Sequence, residues 1–68
     1  MDNVEINSEY INLGQFLKMI DLVSSGGEAK SFLRENIVLI NNEADDRRGR
    51  KLYKGDLIEI MGKKYRIC

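Results

Sequence analysis

The chain has no histidine, no proline and one cysteine, and that cysteine, Cys68, is its last residue. A zinc site built from His and Cys is therefore excluded, because closing one takes several such ligands. A disulfide framework is excluded with it. No apolar run approaches the ~20 residues that a membrane-spanning helix needs. The segment Met1-Asp2-Asn3-Val4-Glu5 is acidic and lacks the apolar stretch of a signal peptide. A lone thiol without an export signal points to the reducing cytoplasm. With no repeat and no linker, residues 1–68 are read as one domain. A chain this short buries only about 60% of the surface that its unfolded form exposes. Ordinary apolar packing must hold it, with roughly 3–5 kcal/mol of net stability.

Catalytic groups are scarce as well. General acid–base and nucleophilic work draws on His, Cys, Ser or paired carboxylates set in a cleft. Asp45 and Asp46 are adjacent, so on an extended chain their side chains point apart. The sequence predicts no catalytic residue, no metal, no cofactor and no small-molecule substrate.

What is present is a soluble globular composition, 43% hydrophobic and 32% charged. The net charge of zero conceals an asymmetry. Residues 1–46 carry nine acids and three bases, whereas residues 47–68 carry eight bases and two acids. That polarity suggests a basic face for an anionic partner, or two halves that attract each other.

The apolar pattern changes period along the chain. Val4-Glu5-Ile6 alternates like a short strand, and Tyr10-Ile11 reads as extended. Leu13, Phe16, Leu17 and Ile20 form one helical stripe, with Asn12 as N-cap and an end near Leu22-Val23. Ser24-Ser25-Gly26-Gly27 breaks the chain, and Ser25 with Glu28 has the spacing of a capping box. Ala29, Phe32 and Leu33 give a second stripe ending near Asn36, with Lys30 and Arg34 together on one face. Val38-Leu39-Ile40 reads as a strand and Asn41-Asn42 as a tight turn. Leu57 to Met61 and Lys64 to Ile67 read as a hairpin whose loop is Gly62-Lys63. Two helices followed by strands indicate an α+β fold.

The most distinctive segment is Arg47-Arg48-Gly49-Arg50-Lys51, followed by Lys54 with no acid before Asp56. Phosphate is the natural partner of such a run, since Arg presents a planar fork of donors and Lys a point charge. The bland alternative is a solvated loop with Asp45-Asp46 as counter-charges. Ser25-Gly26-Gly27 could cradle a phosphate at a helix start, but Glu28 opposes an anion there, and no Walker pattern follows. Tyr10, Tyr53 and Tyr65 could stack on bases, although half-buried strand or loop positions are the commoner place for such residues.

Several segments, in order, resemble the S-four RNA-binding domain family, nearest to its small stand-alone, YaaA-like members. They are Leu13-Gly14-Gln15-Phe16-Leu17-Lys18, Gly26-Gly27-Glu28-Ala29-Lys30, Val38-Leu39-Ile40-Asn41, Arg47-Arg48-Gly49-Arg50-Lys51-Leu52, and Gly55-Asp56 before Leu57-Ile58-Glu59-Ile60. The resemblance spans roughly residues 10–61. It implies a two-helix hairpin on a small, mostly antiparallel sheet, the αL motif. It also implies binding of structured RNA, ribosomal RNA in particular, with a place in ribosome assembly; a monomer is expected. Carried over by position, the contacts are Lys30 and Arg34 on the second helix and Arg47, Arg48, Arg50 and Lys51 in the loop, flanked by Lys18 and Lys54. Many members begin the first helix with Arg-Leu-Asp, where this chain has Asn12-Leu13-Gly14. Many carry bases where this chain has Gly26-Gly27, and Asn-Gly where it has Asn41-Asn42. The first two departures leave fewer cations on the helices and shift the binding towards residues 47–54. The other expectation is a protein-interaction adaptor that offers the same basic surface to an acidic protein.

Overall fold

The computed structural model describes residues 1–68. Its elements run β1 (Asp2–Val4), β2 (Tyr10–Asn12), α1 (Leu13–Met19), α2 (Gly26–Glu35), β3 (Val38–Ile40), β4 (Glu43–Ala44), β5 (Lys51–Tyr53), β6 (Leu57–Ile60) and β7 (Lys63–Ile67). Five strands form a sheet in the order β1-β7-β6-β3-β4, antiparallel except where β1 runs parallel to β7. The remaining two, β2 and β5, form a separate antiparallel ribbon. This is the α+β arrangement that the sequence predicts, with the N-terminal strand added by a parallel pairing.

Strand alternation builds one side of the core. Val38, Ile40, Ile58, Ile60, Tyr65 and Ile67 are buried, while their alternating neighbours are exposed or half-buried. Leu13, Phe16 and Leu17 of α1 and Ala29 and Leu33 of α2 close that face. The Phe16 ring meets Tyr65 edge-on, with centroids 5.5 Å apart at 82°. Phe32 packs against this cluster from a half-buried position.

Helix α1 ends at Met19, earlier than its apolar stripe suggests. Asp21 takes a left-handed φ of 61°. Its amide donates to Lys18 O, and the Leu22 amide donates to Leu17 O, both at 3.1 Å. These are the two bonds of a Schellman motif, which turns the chain and lets Val23 enter the core from a loop. The expected capping box at Ser25 is half formed. Ser25 Oγ accepts the Glu28 amide at 3.2 Å, but the Glu28 carboxylate accepts the Ser24 hydroxyl instead. A complete box forms at α1: Asn12 Oδ1 accepts the Gln15 amide at 2.8 Å, and Gln15 Oε1 accepts the Asn12 amide at 3.0 Å.

Two hairpins use two-residue turns with positive φ at both positions. Asn41-Asn42 does so as expected, at 52° and 70°. The second loop is Met61-Gly62, at 52° and 78°, one residue earlier than the expected Gly62-Lys63. Register requires the shift, because Ile60 pairs with Lys63 and a one-residue slip would turn Tyr65 and Ile67 out of the core.

Candidate nucleic-acid interface

The basic segment is fastened to the start of α1. The first-turn amides of a helix have no partner within it. Here the Leu13 amide donates to Arg50 O at 2.8 Å, and the Gly14 amide donates to Arg48 O at 3.0 Å. Asn12 takes the third, that of Gln15. Residues 47–50 form a turn closed by Arg50 N to Arg47 O at 3.1 Å. Gly49 sits in that turn without a positive φ and with open space where a Cβ would stand. Gly14, by contrast, is buried where the turn docks on α1. A Cβ there would lie 3.4 Å from Asn12 Oδ1 and 3.6 Å from Arg48 O.

The turn divides its arginines between two clefts. On one side Asp45 collects two of them. Arg47 Nη2 lies 2.7 Å from Asp45 Oδ2, and Arg47 Nε lies 3.0 Å from Oδ1. The Arg47 amide adds a bond of 2.9 Å, and Arg50 Nη1 lies 2.9 Å from Oδ2. These bonds, chiefly those from the Arg47 side chain, hold the Asp45 carboxyl well below the usual carboxylate range against the opposing effect of its burial. The Asp45 side chain is only 7% exposed, whereas those of Arg47 and Arg50 are 68% and 30% exposed, so the guanidiniums cover the carboxylate. Arg34 lines the same groove from the end of α2, but so do Glu35, Glu43 and Asp46.

The other cleft is free of acids. It is lined by Asn12, Gln15, Lys18, Gly26, Arg48 and Gly49. Arg48 Nη1 donates to Gly26 O at 3.1 Å, which ties the turn to the start of α2. Gly26, Lys30 and Arg34 follow at four-residue intervals, so an exposed strip of α2 leads from the Arg48 cleft to the Arg34 groove.

The family model described as S4 domain matches residues 4–68. The chain belongs to the S4 domain family. It is also 59% identical over 59 residues to the probable ribosome maturation protein RlbA of Bacillus subtilis (strain 168), an alignment covering 87% of this chain and 83% of that protein.

Within this S4 fold the eight cations singled out from the sequence are all exposed except Arg50, which is half-buried. Arg34, Arg47 and Arg50 share one cleft, and Lys18 and Arg48 share the other. Lys30 lies one helical turn before Arg34. Lys51 lies on strand β5 rather than in the loop, with its ammonium 4.7 Å above the Tyr10 ring. Lys54 sits in the β5–β6 turn, away from both clefts. Sequence reasoning had Asp45 as a counter-charge of the loop but not as the group that holds two arginines, and it gave Gly14 no positioning role, although a glycine inside an apolar helical stripe is a signal. No group of His, Cys, Asp and Glu side chains is arranged to hold a metal ion, and no helix is long and apolar enough to cross a membrane.

Proposed function

We propose that this chain is a non-catalytic protein that binds structured ribosomal RNA during ribosome maturation in the cytoplasm, acting as a monomer. The observation that carries this reading is the shallow cleft beside the start of α2, which Lys18 and Arg48 line together and no acid lines. Arg48 is held there at both ends, by its carbonyl on Gly14 and by its guanidinium on Gly26. A prepositioned guanidinium loses less freedom on meeting a phosphate than a mobile one does. Membership of the S4 family and the name of the Bacillus relative, a probable ribosome maturation protein, support the ribosomal assignment.

The binding surface in this reading runs from Lys18 and Arg48 along Lys30 and Arg34 to Arg47 and Arg50. Lys51 and Lys54 flank it. Asp45 cancels one of the two charges that it holds, so Arg47 and Arg50 together contribute one net positive charge at a fixed place. Contacts of this kind grip the backbone and position the protein without reading sequence. With about four phosphates neutralised, log affinity falls against log salt with a slope of roughly −3.

The test is titration of ribosomal RNA fragments with the wild-type protein and charge-reversal variants, with circular dichroism as the folding control. Changing Arg47, Arg48 and Arg50 together to Glu abolishes binding, but at positions 47 and 50 it also sets two new carboxylates beside Asp45 and strains the turn. Lys18→Glu with Arg48→Glu avoids that crowding and gives the cleaner result. A folded double variant that binds as well as wild type, or an acidic protein that binds while RNA does not compete, defeats the reading.

A further inference from the structure

The β2–β5 ribbon has an outer face whose two tyrosines the surface described above does not use. Tyr10 pairs with Tyr53, Ile11 with Leu52, and Asn12 with Lys51. Alternation sends Leu52 into the core and packs Ile11 against it, so Tyr10, Asn12, Lys51 and Tyr53 share the solvent side. Tyr10 is 39% exposed and Tyr53 44% exposed. Their centroids are 5.7 Å apart with the planes inclined at 48°, so the two rings do not stack on each other. The Lys51 ammonium rests 4.7 Å above Tyr10. Asn12 belongs both to this face and to the cleft of Lys18 and Arg48, which makes the aromatic pair and the acid-free cations one continuous surface.

We propose that this face is a stacking platform for an unpaired RNA base adjoining the paired segment held in the Lys18–Arg48 cleft. Tyr53 receives the base and Tyr10 supports it. Lys51 leaves the Tyr10 ring for the phosphate of that nucleotide. The inference rests on the RNA-binding reading and adds the kind of RNA bound, a helix with a single-stranded flank. A cation over an exposed ring is a weak pairing, and a phosphate offers it a stronger partner. Every base has a π-face, so the platform tolerates any sequence. Exposed tyrosines also suit protein partners, but the cations that flank this pair favour a polyanion that carries planar rings.

The experiment compares a blunt RNA hairpin with the same hairpin bearing a short single-stranded extension that contains a fluorescent adenine analogue. Wild type is expected to bind the extended RNA about tenfold more tightly and to quench the analogue. Tyr53→Leu removes both the gain and the quenching while blunt-hairpin affinity stays unchanged, and Tyr53→Phe keeps both. Circular dichroism shows whether each variant is folded. Equal affinity of wild type for the two RNAs overturns the platform and leaves the RNA-binding reading standing. Equal weakening of both RNAs by Tyr53→Leu also overturns it, since the ring then serves the ribbon. Equal affinity for the extended RNA and for its single-stranded extension alone overturns the pairing of platform with held helix, and binding of no RNA removes both readings.

Discussion

Arg47 and Arg48 are neighbours in sequence, yet they stand in opposite electrostatic surroundings. Arg47 reaches into a groove with Arg34 and Arg50, where Asp45 binds two guanidiniums and Glu35, Glu43 and Asp46 complete the wall. Arg48 turns the other way, towards Lys18, and meets a backbone carbonyl in place of a carboxylate. The first groove is a self-neutralised structural cluster, three cations facing four carboxylates. The second carries two cations and no acid on its lining. The density of cations along a sequence therefore overstates how many of them face solvent unopposed.

Substitutions on both sides of the turn test that contrast. The largest effect is expected from Lys18→Glu with Arg48→Glu. Each charged hydrogen bond lost to phosphate costs about 1.5–3 kcal/mol, so affinity for RNA falls at least ~100-fold. Arg47→Gln with Arg50→Gln costs about tenfold or less, and a loss equal to that of the first pair would erase the distinction between the clefts.

Next comes Asp45→Asn, which removes charged hydrogen bonds from a nearly covered side chain and lowers stability by about 1.5–3 kcal/mol at neutral pH. Thermal melting across pH sharpens the assignment. Because the folded-state pKa of Asp45 is depressed, its contribution is fully present above the ordinary value of 3.8 and is lost as pH falls from there towards the folded value. The gap between wild type and Asp45→Asn is thus constant near neutrality and narrows only below about pH 4. A gap that closes at higher pH would show that another group is responsible.

Asn12→Ala removes the side-chain cap of α1 and costs about 1 kcal/mol, a fall of about 4–8 °C in melting temperature for a domain of this size. The smallest effect belongs to Gly14→Ala. Its Cβ meets Asn12 and Arg48 at ordinary or slightly tight distances, so stability changes by about 0.5 kcal/mol or less. Gly14→Val places further atoms beyond that Cβ against Arg48 and is expected to weaken RNA binding more than Gly14→Ala does, measured by the same titration.

The stripe of Leu13, Phe16 and Leu17, the Asn36 helix end and the Asn41-Asn42 turn were legible because each depends on residues within a few positions of itself. Strands β4 and β5 were not. One has two residues and the other three, with Leu52 as the single buried side chain, which is too little for an alternating pattern to emerge. The parallel β1–β7 pairing joins the two ends of the chain, and no local signal encodes it. The cations themselves could be found from composition and spacing. Their division between two clefts could not, because it depends on the turn at residues 47–50 and on which way each side chain leaves it. Asp45 was visible as a counter-charge, but the two arginines that it holds are fixed only once that turn is closed.

The bonds that seat this turn on α1 come from the carbonyls of Arg48 and Arg50, and every amino acid carries that group. Spelling and spacing are thereby decoupled. The letters at these two positions can be rewritten to retune affinity, or to suit a different anion, while the docking persists. An insertion or deletion between them cannot be absorbed in the same way, since it would pull one acceptor off its amide and leave the first helix partly uncapped.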